Sequence, residues 1–161
     1  MKNKHIFIGL LRLAMGWMVL WTFFDKLFGL GFATVPEKSW FAGASPTAGF
    51  LNFGVSGPFS EFFHGLAGSA IIDWAFMMGL LLIGVSLFLG IGVRIAGYSG
   101  AVLMFLMWLA LLPPKNNPFL DEHIIYLLLF LFLGISGSGR FLGLGYFWSK
   151  TKLVNKCKIL E

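Results

Sequence analysis

The stretch IIDWAFMMGLLLIGVSLFLGIGVRIAGYSGAVLMFLMWLALL, from Ile71 to Leu112, carries only two charged residues, Asp73 and Arg94. A hydrocarbon core of about 30 Å takes about 20 apolar residues per helical crossing. The stretch therefore reads as two crossings, about 71–91 and 95–112, and Gly90 and Gly92 before Arg94 leave room only for a tight turn between them. The two helices must be antiparallel neighbours. Outward from this pair, the segments from about Ile6 to Phe28 and from Phe119 to Ile135 have the same apolar character. Pro113 and Pro114 stop the third helix. Asn117 with Pro118 reads as an N-cap and a first-turn proline opening the fourth, and Gly137 and Gly139 close it. The expected fold is an all-α membrane protein: a four-transmembrane-helix bundle in a single domain over residues 1–148, followed by a basic cytoplasmic tail over 149–161.

Composition agrees. Of 161 residues, 58% are hydrophobic and 12% charged, against the roughly 25% charged residues of a soluble domain. The net charge of +5 does not point to nucleic acid, because the basic residues stand at the ends of apolar segments and form no face interleaved with exposed aromatics. Cys157 is the only cysteine, which excludes an internal disulfide and a two-thiol redox centre. Lys2 and Lys4 before an apolar run resemble a secretory signal, but Arg12 interrupts the run and no small-residue cleavage site follows, so the segment is expected to be a retained helix.

Lys2, Lys4, Arg94, Arg140, Lys150, Lys152, Lys156 and Lys158 fall on one side of the expected bundle, and Lys38 and Lys115 on the other. Cationic loops stay in the cytoplasm, so both termini are expected there, in a multi-pass protein of the cell membrane. Trp40, Trp74 and Trp108 then mark the outer interface and Trp148 the inner one. The segment from Gly31 to Gly68 is too long for a structureless loop, rich in Phe and poor in charge, and so is expected to lie on the bilayer. Within it Ser45-Pro46 and Gly57-Pro58 each look like a helix start, which predicts two short interfacial helices over the outer mouth.

Charge inside the membrane is the informative anomaly, at a cost of about 2.5 to 3.5 kcal/mol per buried Arg, Lys or Asp. Arg12, Gly16, Val19, Phe23 and Lys26 form one stripe on the first helix, with the two cations about 21 Å apart along its axis. Asp73 shares a stripe with Met77, Leu80 and Gly84, and topology makes it the expected partner of Lys26. His123 opens the fourth helix behind Asp121 and Glu122, at the same level as His64, with Glu61 one turn before His64. Imidazoles there suit proton exchange near neutral pH. As metal ligands they lack a third and fourth partner at recognisable spacing, and as haem ligands they lie too far from mid-membrane. Gly137, Gly139 and Gly143 follow a helix and have the wrong spacing for a phosphate loop. The many glycines of the spans read as close helix packing. The Lys150 to Lys158 tail reads as a contact for anionic headgroups.

Several of these features occur together in a known order. Arg12, Gly16 and Lys26, the Trp40-Phe41 loop, Gly79 and Gly84 followed by Arg94, the run from Asn117 to His123, and Gly139-Arg140-Phe141-Leu142-Gly143-Leu144-Gly145 resemble the DoxX/DoxD family over about residues 5 to 148. The resemblance implies a four-helix membrane fold. Its best-known members imply the membrane subunit of a thiosulfate:quinone oxidoreductase that works with a separate small subunit. Other relatives imply roles in redox stress, cargo or assembly without catalysis, the bundle holding a lipid or a partner helix.

In the oxidoreductase reading Lys26 and His64 attract the anion at the outer mouth, the aromatic interior admits quinone as electron acceptor, and His123 or Asp73 moves protons. Arg12 is the rival position, as an inner site for anionic lipid. The partners to consider are the lipid bilayer, a small subunit, a small anion and a second copy of the chain in a homo-oligomer.

The orientation is directly testable. Cysteines introduced beside Lys38 and Lys115 should react with an impermeant maleimide from outside the cell, and one beside Lys152 only after permeabilisation. Reaction beside Lys115 from the cytoplasmic side would overturn the assigned topology.

Overall fold

The computed structural model describes residues 2–115 and 117–160, with the side chain of Lys2 excepted; Glu161 of the expected tail lies outside them. The described residues are helical or irregular, with no strand. Three helices are long and apolar enough to cross a membrane: α1 (Lys2–Phe28), α4 (Ala70–Leu89) and α5 (Val93–Ala110). These are membrane-protein helices, and their exposed residues include Phe7, Trp17, Leu82 and Val102. The fourth apolar helix, α6 (Glu122–Ile135), has 14 residues and spans about 21 Å. It begins four residues later than Asn117-Pro118 suggests. Asn117 closes a local turn instead, its Oδ1 accepting the amides of Phe119 and Leu120 at 2.9 and 3.0 Å. Asp121 is the cap that opens α6, accepting the amides of His123 and Ile124 at 3.0 and 3.3 Å.

The two proline-marked starts do produce short helices, α2 (Ala48–Phe53) and α3 (Ser60–His64). Two further turns, α7 (Gly145–Trp148) and α8 (Lys152–Lys156), form the C-terminal segment. It folds back on the bundle, burying Val154 and placing the Leu160 carbonyl on Trp148 Nε1 at 2.5 Å. On its exposed side Lys150 Nζ donates to the Tyr146 hydroxyl at 2.6 Å, and that hydrogen bond, aided by the lysine charge, lowers the phenol's pKa.

Antiparallel packing pairs α1 with α4 and α5 with α6. α4 and α5 meet at the tight turn over Gly90 and Gly92, both left-handed at φ +79° and +64°, and share a smaller contact. The expected stripes are the buried faces: Arg12, Gly16, Val19 and Phe23 on α1, and Asp73, Met77, Leu80 and Gly84 on α4. Backbones approach closely where glycine permits. A Cβ on Gly16 would stand 2.7 Å from the Phe88 nitrogen, and one on Gly97 2.7 Å from the Phe130 oxygen and 2.8 Å from the Gly134 Cα. Both termini, the Gly90–Gly92 turn and the Gly137–Gly139 turn gather at one end, called here the terminal end; the loops 29–69 and 111–121 form the far end.

The glycine contacts set up a paired test. Gly97→Ala should lower the thermal midpoint in detergent by several degrees, as overpacking by about 1–3 kcal/mol requires. Gly79→Ala meets open space and should leave the midpoint unchanged or raise it. Equal midpoints for both variants would refute the close contact of α5 with α6.

Candidate functional site: a lysine-headed apolar cavity

Away from their shared turn, α4 and α5 leave a cavity of about 440 Å³ between them. Phe76, Gly79 and Ile83 of α4 face Ser99, Val102 and Leu106 of α5 across it, and Leu51 of α2 with Phe63 of α3 closes its far end. Gly79 creates part of the space, since a Cβ there would touch nothing within 4 Å. Val102 and Leu106 line the cavity while remaining 59% and 43% exposed, so it opens sideways onto the apolar flank of the bundle.

Its polar head is Lys26 and Thr47. Lys26 Nζ donates to the Pro46 carbonyl at 3.2 Å and lies 5.9 Å from the Phe76 ring centroid. Asp73, buried beside it, accepts the Ser45 and Thr47 hydroxyls on Oδ1 at 2.8 and 2.5 Å. The Ser45-Pro46-Thr47 segment thus clasps both intramembrane charges. The ion pair expected between Lys26 and Asp73 does not form within 4.0 Å, unlike that of His123 with Asp121. The loop supplies neutral partners to each charge separately, a carbonyl to the ammonium and hydroxyls to the carboxylate, which removes the need for direct contact.

The remaining expected site residues stand elsewhere. His64 is exposed at the end of α3 and His123 sits in the first turn of α6 with Nδ1 2.9 Å from Asp121 Oδ2; neither borders the cavity. Asp121, Glu122 and His123 bring ligand atoms within 4.8 Å of one another, a consequence of the cap geometry.

Arg12 is fully buried at the terminal end, away from the cavity. Its Nη1 donates to the carbonyls of Leu87 and, at 3.1 Å, Phe88, and its Nη2 to those of Phe141 and Leu142 at 3.0 and 2.9 Å. Glycines enclose it: a Cβ on Gly143 would lie 2.8 Å from Nη2, and one on Gly90 3.3 Å from Nη1. Protein carbonyls therefore occupy the two terminal nitrogens that an anion or a lipid headgroup would need.

Asp25, Ser45 and Thr47 escaped sequence reasoning. Asp25, 2% exposed, accepts the amides of Phe32 and Ala33 at 3.2 and 3.0 Å and fixes the loop leaving α1. An acid directly before Lys26 in an apolar helix was the available signal. Ser45 and Thr47 flank a proline and read only as a helix start.

The chain matches no described protein family, curated protein or solved structure.

As chemistry, the cavity can hold an apolar ring or chain while Lys26, with three ammonium donors and one spent on Pro46, bonds an acceptor at its head. Arg12 has the stabilising role. Arg12→Met should cost about 3 kcal/mol or more, because four carbonyls lose a charged donor. Arg12→Lys should recover only part of that, since one ammonium cannot reach both carbonyl pairs. Unfolding of Arg12→Met at the wild-type temperature would show that the clamp contributes nothing.

Proposed function

We propose that this protein is the membrane subunit of a quinone-linked oxidoreductase acting on a small sulfur compound such as thiosulfate, with quinone bound in the Lys26-headed cavity. The observation that carries the reading is the cavity itself: about 440 Å³, apolar along both walls, with one ammonium at its head. That volume falls within the roughly 300–1,000 Å³ of small-molecule sites. A quinone combines a flat apolar ring, a lipid-soluble tail and carbonyl acceptors. Its tail suits the side opening at Val102 and Leu106, and a ring carbonyl suits Lys26. Reduction of the ring takes up two protons. Thr47, on the cavity wall and bonded to Asp73, offers a route for them. The resemblance to the DoxX/DoxD family supplies the sulfur substrate and the small partner subunit. In this reading α6 is the fourth crossing, extended by the apolar Phe119 and Leu120 and matched to the bilayer by local thinning. Both termini are cytoplasmic.

A second reading, a non-catalytic protein that holds a lipid for assembly, transport or redox-stress response, is favoured by one feature. The polar side chains of the cavity lining are Lys26, Thr47 and Ser99, and the lining includes no acid to serve as a general base.

The test uses purified protein in nanodiscs and a photoreactive quinone analogue. Wild type should be labelled at the cavity. Lys26→Met should weaken labelling about tenfold, as loss of a charged hydrogen bond implies. Gly79→Leu should abolish it by filling the space. Undiminished labelling of both variants would remove quinone from this cavity. Labelling without quinone reduction by thiosulfate, with or without candidate partner subunits, would favour the lipid-holding reading.

A further inference from the structure

A second cavity, of about 320 Å³, lies at the terminal end, where α5 begins and α6 finishes. It is separate from the Lys26 cavity and shares no residue with it. Arg94 and Arg140 line it from opposite elements, α5 and the turn after α6. Arg94 uses Nη1 to donate to the Lys158 carbonyl at 3.3 Å, one of its five N–H donors. Phe141, stacked on His5 at 4.3 Å between ring centroids, forms another wall.

Among the described residues the charged side chains at this end are cationic. Arg94, Arg140, Lys150, Lys152, Lys156 and Lys158 gather there, and among the described residues every Asp and Glu belongs to the far end: Asp25, Glu37, Glu61, Asp73, Asp121 and Glu122. The lining is not uniformly polar, however. Ile135, on the cavity edge, is 66% exposed on the flank of α6, so the polar recess passes directly into apolar surface.

We infer that this recess binds the phosphate of an anionic phospholipid, with the acyl chains running along the flank of α6 past Ile135. Two guanidiniums suit a phosphodiester, whose oxygens accept paired N–H donors. The continuity with apolar surface selects an amphiphile over free phosphate. The cationic side chains around the recess favour an anionic headgroup over a zwitterionic one. The inference is independent of any ligand at Lys26.

Native mass spectrometry of the full chain released from mixed micelles tests it, with phosphatidylglycerol, phosphatidylcholine and inorganic phosphate as probes. Wild type should retain phosphatidylglycerol over phosphatidylcholine. Arg94→Gln and Arg140→Gln should each lower retention about fivefold, and the double variant about 30-fold, as the loss of one and two headgroup charges implies. A second pair guards against misfolding. Gly137 lines the recess at φ +64° with nothing within 4 Å of its Cβ, so Asn and Asp both fit there. Gly137→Asp should expel the lipid while the isosteric Gly137→Asn keeps it. Equal retention by these two variants, or by wild type and the double arginine variant, would overturn the inference. Displacement of phosphatidylglycerol by millimolar inorganic phosphate would overturn the choice of a lipid and leave a soluble-phosphate site.

Discussion

The structure depends on a guanidinium held by backbone. Arg12 reaches from α1 to the last turn of α4, at Leu87 and Phe88, and to the irregular segment at Phe141 and Leu142. Carbonyls at a helix end lack partners within the helix and need donors from elsewhere. In a low-dielectric bundle an unpaired cation and unpaired carbonyls are both expensive, and here the two terminal nitrogens meet four carbonyls while Nε stays buried without a partner. One side chain thereby fixes three pieces of chain at a single point. The glycines of the 139–145 segment follow from that demand. Gly143 lets the segment touch the guanidinium, and a Cβ on Gly145 would stand 2.4 Å from the Gly139 oxygen and 2.6 Å from the Gly90 oxygen. Glycine here serves proximity, where Gly90 and Gly92 serve conformation.

A bundle tied tightly at one end is free to open at the other. α4 and α5 leave the Gly90–Gly92 turn in contact and then separate, and the space between residues 72–83 and 99–110 is the cavity. The far-end loops cover it because α1 gives them something to hold. Asp25 takes two loop amides, and the carbonyls of Lys26 and Leu27, at the end of α1, accept the amides of Trp40 and Phe41 at 2.9 and 3.0 Å. Trp40 then packs edge-on against Trp74 of α4 at 4.6 Å. Helix termini with unsatisfied groups thus organise both ends of the molecule, by a guanidinium at one and by a returning loop at the other.

Much of this architecture could be read from residue order. The spans 71–91 and 95–112, the Gly90–Gly92 turn, the stripes on α1 and α4 and the two proline-started short helices needed only period, length and turn chemistry. Arg12 and Lys26 stood out because intramembrane cations are costly. Their partners did not, because a carbonyl has no identity in sequence: Leu87, Phe88, Pro46 and Phe141 act through atoms every residue carries. The same blindness suggested an ion pair for Lys26 and Asp73, opposite charges placed at one depth, where hydroxyls and a carbonyl intervene. His64 and His123 were placed together by depth alone, and depth does not fix position around a bundle. The cavity was illegible for a further reason. It arises from what Gly79 omits and from the space left between α4 and α5, and neither is written in a local pattern.

The separation of charge along the bundle makes Lys26 the unusual residue. The far end holds the described acids, including Asp25 directly before it and Asp73 across the same turn. An ammonium in such company would ordinarily be drawn to a carboxylate. Both nearby carboxylates are instead occupied by loop donors, Asp25 by amides and Asp73 by hydroxyls. Lys26 is left with a single carbonyl and an aromatic face, at the head of an apolar space. A cation needed only to hold helices together would be expected to spend its donors as Arg12 does, on protein acceptors. Lys26 has donors beyond the one given to Pro46, and it is that contrast between two cations on one helix face on which the proposed function rests.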